Sequence, residues 1–180
     1  MAQVGEVFLP RQFSNIENAS AHRFGTAREI LDTAPGGAVD VIVSGVGTGG
    51  TLVGLYQGFC DAGCQVIPVL ARPIDLTMTN DVECCSFSSR IPGVVDSISE
   101  IFTKADLPGL LTIDVPGNEA LEATRELIRH GFPVGPSSGL NFRVAQLASE
   151  RIVNPAAVVV TVFPDRMERY FSTELFARPS

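Results

Sequence analysis

Hydrophobic residues occur in short runs separated by amphipathic segments along most of the chain. Apolar runs that end in turn residues are typical of parallel strands buried on both faces. Strands are predicted at residues 39–44, 65–70, 111–115 and 156–163. Helices are predicted at residues 21–33, from 51 to about 62, from 117 to about 130, and from about 140 to 152. This alternation predicts an α/β domain with a parallel sheet flanked by helices.

The most informative stretch joins the first strand to the second helix. It runs Val39-Asp40-Val41-Ile42-Val43-Ser44-Gly45-Val46-Gly47-Thr48-Gly49-Gly50-Thr51-Leu52, with four glycines in the six positions 45–50. Glycines free backbone N–H groups to converge on an anion, and a helix N-terminus favours negative charge at the same point. The stretch therefore predicts a phosphate cradle, in preference to a turn needed only for tight packing.

This turn alone leaves the kind of phosphate compound open. A nucleoside-triphosphate loop requires lysine before its last hydroxyl residue, and position 50 is glycine. The dinucleotide pattern G-x-G-x-x-G is present as Gly45, Gly47 and Gly50, but no carboxylate ends the next predicted strand. Arg72 follows that strand instead, so an NADP-binding site remains an alternative.

Composition narrows the classes of partner. The formal charge of −7 argues against nucleic acid and anionic membranes. No apolar run reaches transmembrane length and no signal-peptide pattern occurs at the start, so a cytoplasmic protein is expected. Charged residues make up 18% of the chain, below the average of about 25%, which suggests surface buried against another subunit.

The cysteines and histidines do not predict a metal site. Cys60 and Cys64 lie near the end of a predicted helix, Cys84 and Cys85 lie in a predicted loop over residues 71–96, and the spacing is not that of a zinc ribbon. We expect buried or incidental thiols. His130 is interpreted as a residue at a helix C-terminus rather than as a catalytic base.

A second turn, Val134-Gly135-Pro136-Ser137-Ser138-Gly139, precedes the last predicted helix, and Pro164-Asp165 follows the last predicted strand. Ligands of open parallel sheets bind at the carboxyl ends of the strands. We expect this turn, the glycine-rich turn and Pro164-Asp165 to lie on one edge of the sheet.

Four motifs in order resemble one enzyme family. They are Gln12-Phe13-Ser14-Asn15 with His22 and Glu29-Ile30, the glycine-rich turn, Gly135-Pro136-Ser137-Ser138-Gly139, and the run from Glu168 to Phe176. Together they resemble the cysteine synthase (O-acetylserine sulfhydrylase) and cystathionine β-synthase family of pyridoxal-phosphate (PLP) enzymes, over nearly the whole chain. The resemblance implies the tryptophan-synthase-β-like fold of PLP enzymes (fold type II) and β-replacement or β-elimination on an amino-acid substrate.

The resemblance also assigns site residues. Gly47, Thr48, Gly49, Gly50 and Thr51 would hold the 5′-phosphate of PLP, and Ser137 would hydrogen-bond the pyridine nitrogen. A serine hydroxyl leaves that nitrogen unprotonated and the ring a weaker electron sink, which suits β-elimination rather than transamination.

The family's opening portion, which bears the Schiff-base lysine and the substrate-carboxylate loop, has no counterpart here. We therefore expect residues 1–180 to form a single cofactor-binding domain that corresponds to the later part of the family, with no catalytic residue of its own and no covalent attachment of PLP. The only lysine, Lys104, lies outside any matching motif, at the end of a predicted strand or loop. Two further departures are Ile91-Pro92-Gly93-Val94-Val95, in place of a segment richer in glycine, and Met167, in place of a glycine.

Three hypotheses follow. The first is a PLP-binding portion of a cysteine-synthase-like enzyme that is inactive alone or needs a complementary lysine-bearing chain. The second is a non-catalytic module that binds a full-length relative or another partner. The third is an NADP-binding oxidoreductase domain, which leaves two of the motifs unexplained. A homo-oligomer or a complementary subunit is expected in the first two cases.

Overall fold

The computed structural model describes residues 9–74, 91–94 and 99–176 of the 180-residue chain. Its centre is a four-stranded sheet in which every pairing is parallel, in the order β3-β2-β1-β4. The strands are β1 (Val41–Ser44), β2 (Ile67–Ile74), β3 (Leu111–Pro116) and β4 (Val159–Thr161). The predicted parallel α/β fold is confirmed.

Helices connect these strands. They are α1 (Glu17–Ala21), α2 (Ala27–Thr33), α3 (Gly50–Asp61), α4 (Glu100–Thr103), α5 (Gly117–Arg129) and α6 (Pro136–Arg151). A π-helical turn, His22–Thr26, joins α1 to α2, so the chain is helical from residue 17 to residue 33. Two 3₁₀ turns lie at Pro35–Gly37 and Met167–Tyr170. Within the described part of the chain, no helix is long and apolar enough to cross a membrane.

Helices cover both faces of the sheet, because successive side chains of a strand point to opposite faces. Val41 and Val43 contribute to a core that includes Leu140 and Val144 of α6. Ile42 contributes to a second core, which includes Leu55 and Phe59 of α3. All four residues of β1 are buried, as expected of a central strand with an unbroken apolar run.

β2 begins two residues later than the predicted strand and extends four residues beyond its predicted end at Leu70. The extension contains Pro73, and proline is tolerated in a strand only where its missing N–H has no partner to lose. The Ile67 N–H points toward β1, where it donates to the Asp40 carbonyl, so odd-numbered residues of β2 face that side. β1 ends opposite Leu70, and Pro73 therefore lies beyond it and pairs only with β3.

β4 is shorter than predicted, since only residues 159–161 of the apolar run 156–163 form a strand. It is an edge strand that pairs with β1 alone, and its three residues are half-buried. β1 likewise begins two residues later than predicted. Apolar composition marks burial, but strand ends depend on where a neighbour is available for hydrogen bonding.

Helix ends agree with the prediction more closely than helix starts. α2 ends at Thr33 and α5 ends at Arg129, followed by Gly131 with φ +90°. α6 begins at Pro136, four residues before the predicted start, because proline fits the first helical position without losing a hydrogen bond. The short helix α4 was not predicted. Most of the predicted loop at residues 71–96, including Cys84 and Cys85, lies outside the described residues.

One prediction concerns the close packing of α3 on α1. A Cβ at Gly54 would overlap the Ala19 carbonyl oxygen and lie 2.7 Å from the Cβ of His22, whereas a Cβ at Gly25 would meet nothing within 4 Å. Gly54→Ala should therefore lower the free energy of unfolding by about 1–3 kcal/mol, from overpacking.

Gly25→Ala is the matched control, since it should be neutral or stabilising by up to about 1 kcal/mol. Urea unfolding of the two variants measures both effects. Equal changes in the two variants would contradict this account of the α1–α3 contact.

Candidate functional site

A cleft of about 220 Å³ opens at the carboxyl ends of β1 and β4. It is lined by the glycine-rich turn, the first turn of α6, Pro164-Asp165 and Pro92-Gly93-Val94. The expectation that the first three segments meet on one edge of the sheet is confirmed. Of the six residues assigned from the resemblance, the structure brings five to the cleft: Gly47, Thr48, Gly49, Thr51 and Ser137.

The glycine-rich turn presents backbone donors at the start of α3. Its N-cap residue is Gly49, with φ +81°, a conformation that favours glycine. The first helical hydrogen bond runs from the Val53 N–H to the Gly49 carbonyl, at 3.1 Å, so the N–H groups of residues 50–52 precede the helical ladder. The Gly50 N–H has only a long 3.5 Å contact with the hydroxyl of Thr48. This end of α3 is suited to an anion.

At two of the glycines, neighbouring atoms leave no room for a side chain. A Cβ at Gly47 would overlap the Gly93 carbonyl oxygen, across the cleft wall. A Cβ at Gly50 would overlap the side chain of Asn18, which belongs to α1. Gly50 is buried behind the cleft and does not line it. The absence of a side chain at this position allows α1 to pack closely, and the Gly50 N–H is one of the donors at the helix N-terminus.

Ser99 holds the glycine-rich turn through a hydrogen bond. Its buried hydroxyl donates to the Thr48 carbonyl at 2.6 Å and accepts from the Phe102 N–H at 3.0 Å, which caps α4. Sequence reasoning did not find this residue. The available signal was a serine immediately before Glu100, since serine is a favoured N-cap and an acidic residue often follows in the first turn.

Asn141 of α6 connects the two strands whose ends form the cleft. Its Oδ1 accepts from the Gly45 N–H at 2.7 Å, after β1, and its Nδ2 donates to the Val162 carbonyl at 2.8 Å, after β4. The side chain is 1% exposed and lines the cleft floor. Its position one turn after Ser137 was the only sequence signal, and the sequence analysis did not use it.

The N-terminus of α6 carries the hydroxyl residues of the second turn. Ser137 is half-buried and lines the cleft, whereas the Ser138 hydroxyl is buried and has no hydrogen-bond partner among the described residues. Asp165 lies beside this helix start, where a Cβ at Gly135 would overlap its Oδ1. Gly135 is therefore needed for the α6 N-terminus to approach the end of β4 closely.

Tyr170 holds the other oxygen of Asp165. Its hydroxyl donates to Oδ2 in a short hydrogen bond, while Oδ1 is buried and has no partner among the described residues. Burial, together with the hydrogen bond to the Asp165 carboxylate, raises the pKa of Tyr170 to about 12. Tyr170 belongs to the run that begins at Glu168, so that motif supports one wall of the cleft.

The two departures noted in the sequence lie at or near the cleft. Val94 packs against the turn, since a Cβ at Gly45 would lie 3.2 Å from both of its methyl groups. Met167 begins a 3₁₀ turn, and its N–H donates to the Pro133 carbonyl at 3.1 Å. Val95 lies outside the described residues.

Lys104 does not line the cleft. It follows α4 as the C-cap residue, not a strand or loop as predicted, and its ammonium group is 2.6 Å from the Glu100 carboxylate. Its side chain is 74% exposed. The structure therefore places this amine on the surface, at the end of the helix that Ser99 caps.

The remaining titratable candidates lie elsewhere. His130 is exposed at the C-terminus of α5, Cys60 is an exposed free thiol, and Cys64 is a half-buried one. Of the expected buried or incidental thiols, Cys60 is thus an exposed, incidental one. Among the described residues, no group of three His, Cys, Asp or Glu side chains is arranged to hold a metal ion.

The chain belongs to the pyridoxal-phosphate dependent enzyme family, whose model matches residues 1–165. Within that family it is similar to cysteine synthases. It is 33% identical to "Cysteine synthase B" of Campylobacter jejuni over 171 residues, which covers 94% of this chain and 55% of the relative.

Solved structures of related enzymes match the fold of this chain. The O-acetylserine dependent cystathionine beta-synthase from Helicobacter pylori matches with a TM-score of 0.80 and 28% identity, covering 97% of this chain and 55% of that one. A hydrogen sulfide-producing enzyme from Fusobacterium nucleatum matches with a TM-score of 0.79 and 30% identity, covering 95% of this chain and 51% of that one. The fold is therefore that of fold type II PLP enzymes, and the chain spans about half the length of the curated relatives it matches.

Asn141→Ala should lower the free energy of unfolding by about 2–6 kcal/mol, because it leaves two part-buried backbone groups without partners, at about 1–3 kcal/mol each. Asn141→Asp keeps the acceptor for the Gly45 N–H but places a buried carboxylate against the Val162 carbonyl oxygen, so we expect a loss of stability at least as large at neutral pH. Urea denaturation measures the free energy of unfolding of both variants and of the wild-type chain. Wild-type stability in the alanine variant would contradict the bridging role.

Tyr170 should ionise far above an ordinary tyrosine, whose pKa is about 10. In a Tyr56→Phe background it is the only tyrosine left, so phenolate absorbance should rise with a midpoint near pH 12. Because the folded-state pKa is raised, the stability it contributes is complete below about pH 10 and is lost as pH rises toward 12. A midpoint near 10 in the folded protein would show that the contact with Asp165 is not formed.

Proposed function

We propose that the cleft binds PLP and that this chain is a single cofactor-binding unit of a cysteine-synthase-like β-replacement enzyme. The observation that carries the proposal is the donor set at the N-terminus of α3, which faces a cleft that also contains Ser137. Family membership supports PLP as the cofactor. The names of the matched relatives support cysteine-forming chemistry.

The described residues fit the two ends of PLP. The N–H groups at the start of α3, with the hydroxyls of Thr48 and Thr51, would hold the 5′-phosphate, since the helix N-terminus and charge-assisted hydrogen bonds both favour it. The close approach of Gly47 to Gly93 leaves no room for a side chain at position 47, so at that position only backbone would face the phosphate.

Ser137 would face the pyridine nitrogen from the N-terminus of α6. A neutral hydroxyl donates one hydrogen bond and brings no charge to that nitrogen. Bound PLP supplies an electron sink for elimination and replacement at the β-carbon of an amino acid. Asn141 and Ser99 would keep the two sides of the cleft at a fixed separation, because each hydrogen-bonds the glycine-rich turn from a different helix.

The proposal includes a lysine supplied from outside residues 1–180. Lys104, the only lysine, is exposed and paired with Glu100 outside the cleft. We therefore propose that the chain alone holds PLP without a covalent bond and forms no cysteine, and that β-replacement requires a complementary lysine-bearing chain. The amino-acid substrate would bind only in that assembly.

A second candidate function is a non-catalytic module that binds a partner. The favouring observation is a set of large apolar side chains exposed on the segment before the sheet, namely Leu9, Ile16 and Phe24, each more than half exposed. The NADP alternative has less support. Arg72 was its expected phosphate contact, and this guanidinium makes a bidentate ion pair with Asp114 on β3, with bonds of 2.6 and 2.9 Å.

Titration of the purified chain with PLP, followed by borohydride reduction and intact mass, tests the proposal. We expect a saturable change in the visible spectrum and no stoichiometric adduct. Lys104→Arg is the matched control and should bind PLP as the wild type does. A stoichiometric adduct at Lys104, or cysteine formed from O-acetylserine and sulfide by the pure chain, would contradict the proposal of non-covalent binding and inactivity.

The same titration separates the candidate functions. Absence of any response to PLP, together with a self-associated or partner-bound species in light scattering, would favour the binding module. A binding signal with NADP and none with PLP would favour the nicotinamide alternative.

A further inference from the structure

His22 lies behind the anion cradle, between two threonine hydroxyls. Its Nε2 is 3.3 Å from the Thr51 hydroxyl oxygen, and its Nδ1 is 3.2 Å from the hydroxyl oxygen of Thr26. Thr51 lines the cleft, whereas His22 and Thr26 belong to the helical segment that packs on α3. The three side chains form a chain of hydrogen bonds that ends at the proposed phosphate site.

The backbone is arranged to make this contact. His22 begins the π-helical turn, a rare distortion that often occurs at functional sites. Gly54 lies one turn after Thr51 on α3, and a Cβ there would lie 2.7 Å from the Cβ of His22. Only the missing side chain at position 54 lets the two helices approach closely enough for the imidazole to reach Thr51.

Neutral imidazole has one N–H donor and one acceptor nitrogen, so two arrangements are possible. If Nδ1 carries the hydrogen, Thr51 must donate to Nε2, and its oxygen lone pairs then face the cleft. If Nε2 carries the hydrogen, it donates to the Thr51 oxygen, Thr26 donates to Nδ1, and the Thr51 hydrogen is free to point into the cleft. Only in the second arrangement can the Thr51 hydroxyl donate to an anion in the cradle.

We propose that His22 is a positioning residue for the phosphate site, acting as the Nε2–H tautomer that fixes the Thr51 hydroxyl as a donor to the anion. The inference rests on the phosphate-binding role proposed above. Burial lowers the pKa of His22, so the imidazole is neutral near neutral pH and its tautomer is a meaningful property. Thr26 selects the tautomer by donating to Nδ1.

Long-range ¹H–¹⁵N spectra of histidine-labelled protein test the tautomer directly. The chain has two histidines, and His130→Gln assigns both signals without altering the site. We expect Nε2 of His22 to be pyrrole-like and Nδ1 pyridine-like when inorganic phosphate, or pyridoxamine 5′-phosphate, is bound. The second probe lacks the aldehyde and so binds without reacting with Lys104. The opposite tautomer in the bound state would overturn the inference.

Affinity for the two probes supplies a second readout. Thr51→Val should weaken binding by about 10–100-fold, the effect of one hydrogen bond to a charged group. His22→Leu should weaken it by about tenfold in the wild-type background and have no further effect in the Thr51→Val background, because His22 acts through Thr51. His22→Gln, whose amide N–H lies near the position of Nε2, should restore most of the affinity, and His130→Gln should not change it.

The outcomes distinguish the two proposals. If the wild-type chain binds neither probe, the proposed function fails and the inference fails with it. If it binds both probes but His22→Leu loses affinity equally with and without Thr51, only the inference is wrong. If His22→Leu does not fold, the tautomer measured in the wild-type chain still decides the question.

Discussion

The close approach of backbone segments around α3 is the constraint on which the rest of the structure depends. Gly50, Gly54 and Gly58 lie four residues apart on one face of this helix, where a Cβ would meet α1, the π-helical turn or α2. Close packing without side chains holds the first helical segment against α3. The anion cradle, at the start of the same helix, is positioned by that contact.

Hydrogen bonds from both sides of the sheet complete the cleft, since α6 packs in the first core and α4 packs beside α3. Asn141 joins the turn after β1 to the segment after β4, and Ser99 holds the turn through the Thr48 carbonyl. The side chains of Asn141 and Ser99 are buried, so a lost partner leaves a polar group unsatisfied. The site is therefore fixed from three directions: α3 packing below, α6 on one side and α4 on the other.

The sequence was sufficient for the parallel fold and for the location of the site, because both depend on local patterns. Apolar runs identify buried strands, and the glycine-rich turn marks the helix N-terminus that the structure places at the cleft. Strand ends were less predictable, as the extension of β2 through Pro73 shows, because they depend on whether the neighbouring strand continues. The contacts of Asn141 and Ser99 join residues 96 and 51 positions apart, and no local pattern contains them.

The central claim is that the backbone at the start of α3 binds the phosphate of a cofactor. Amide chemical shifts in ¹H–¹⁵N spectra, recorded during titration with pyridoxamine 5′-phosphate, measure this most directly. The account predicts that the largest changes occur at the amides of residues 48–52, with a smaller change at Ser137. Changes confined to other parts of the chain, with those amides unmoved at saturation, would contradict it.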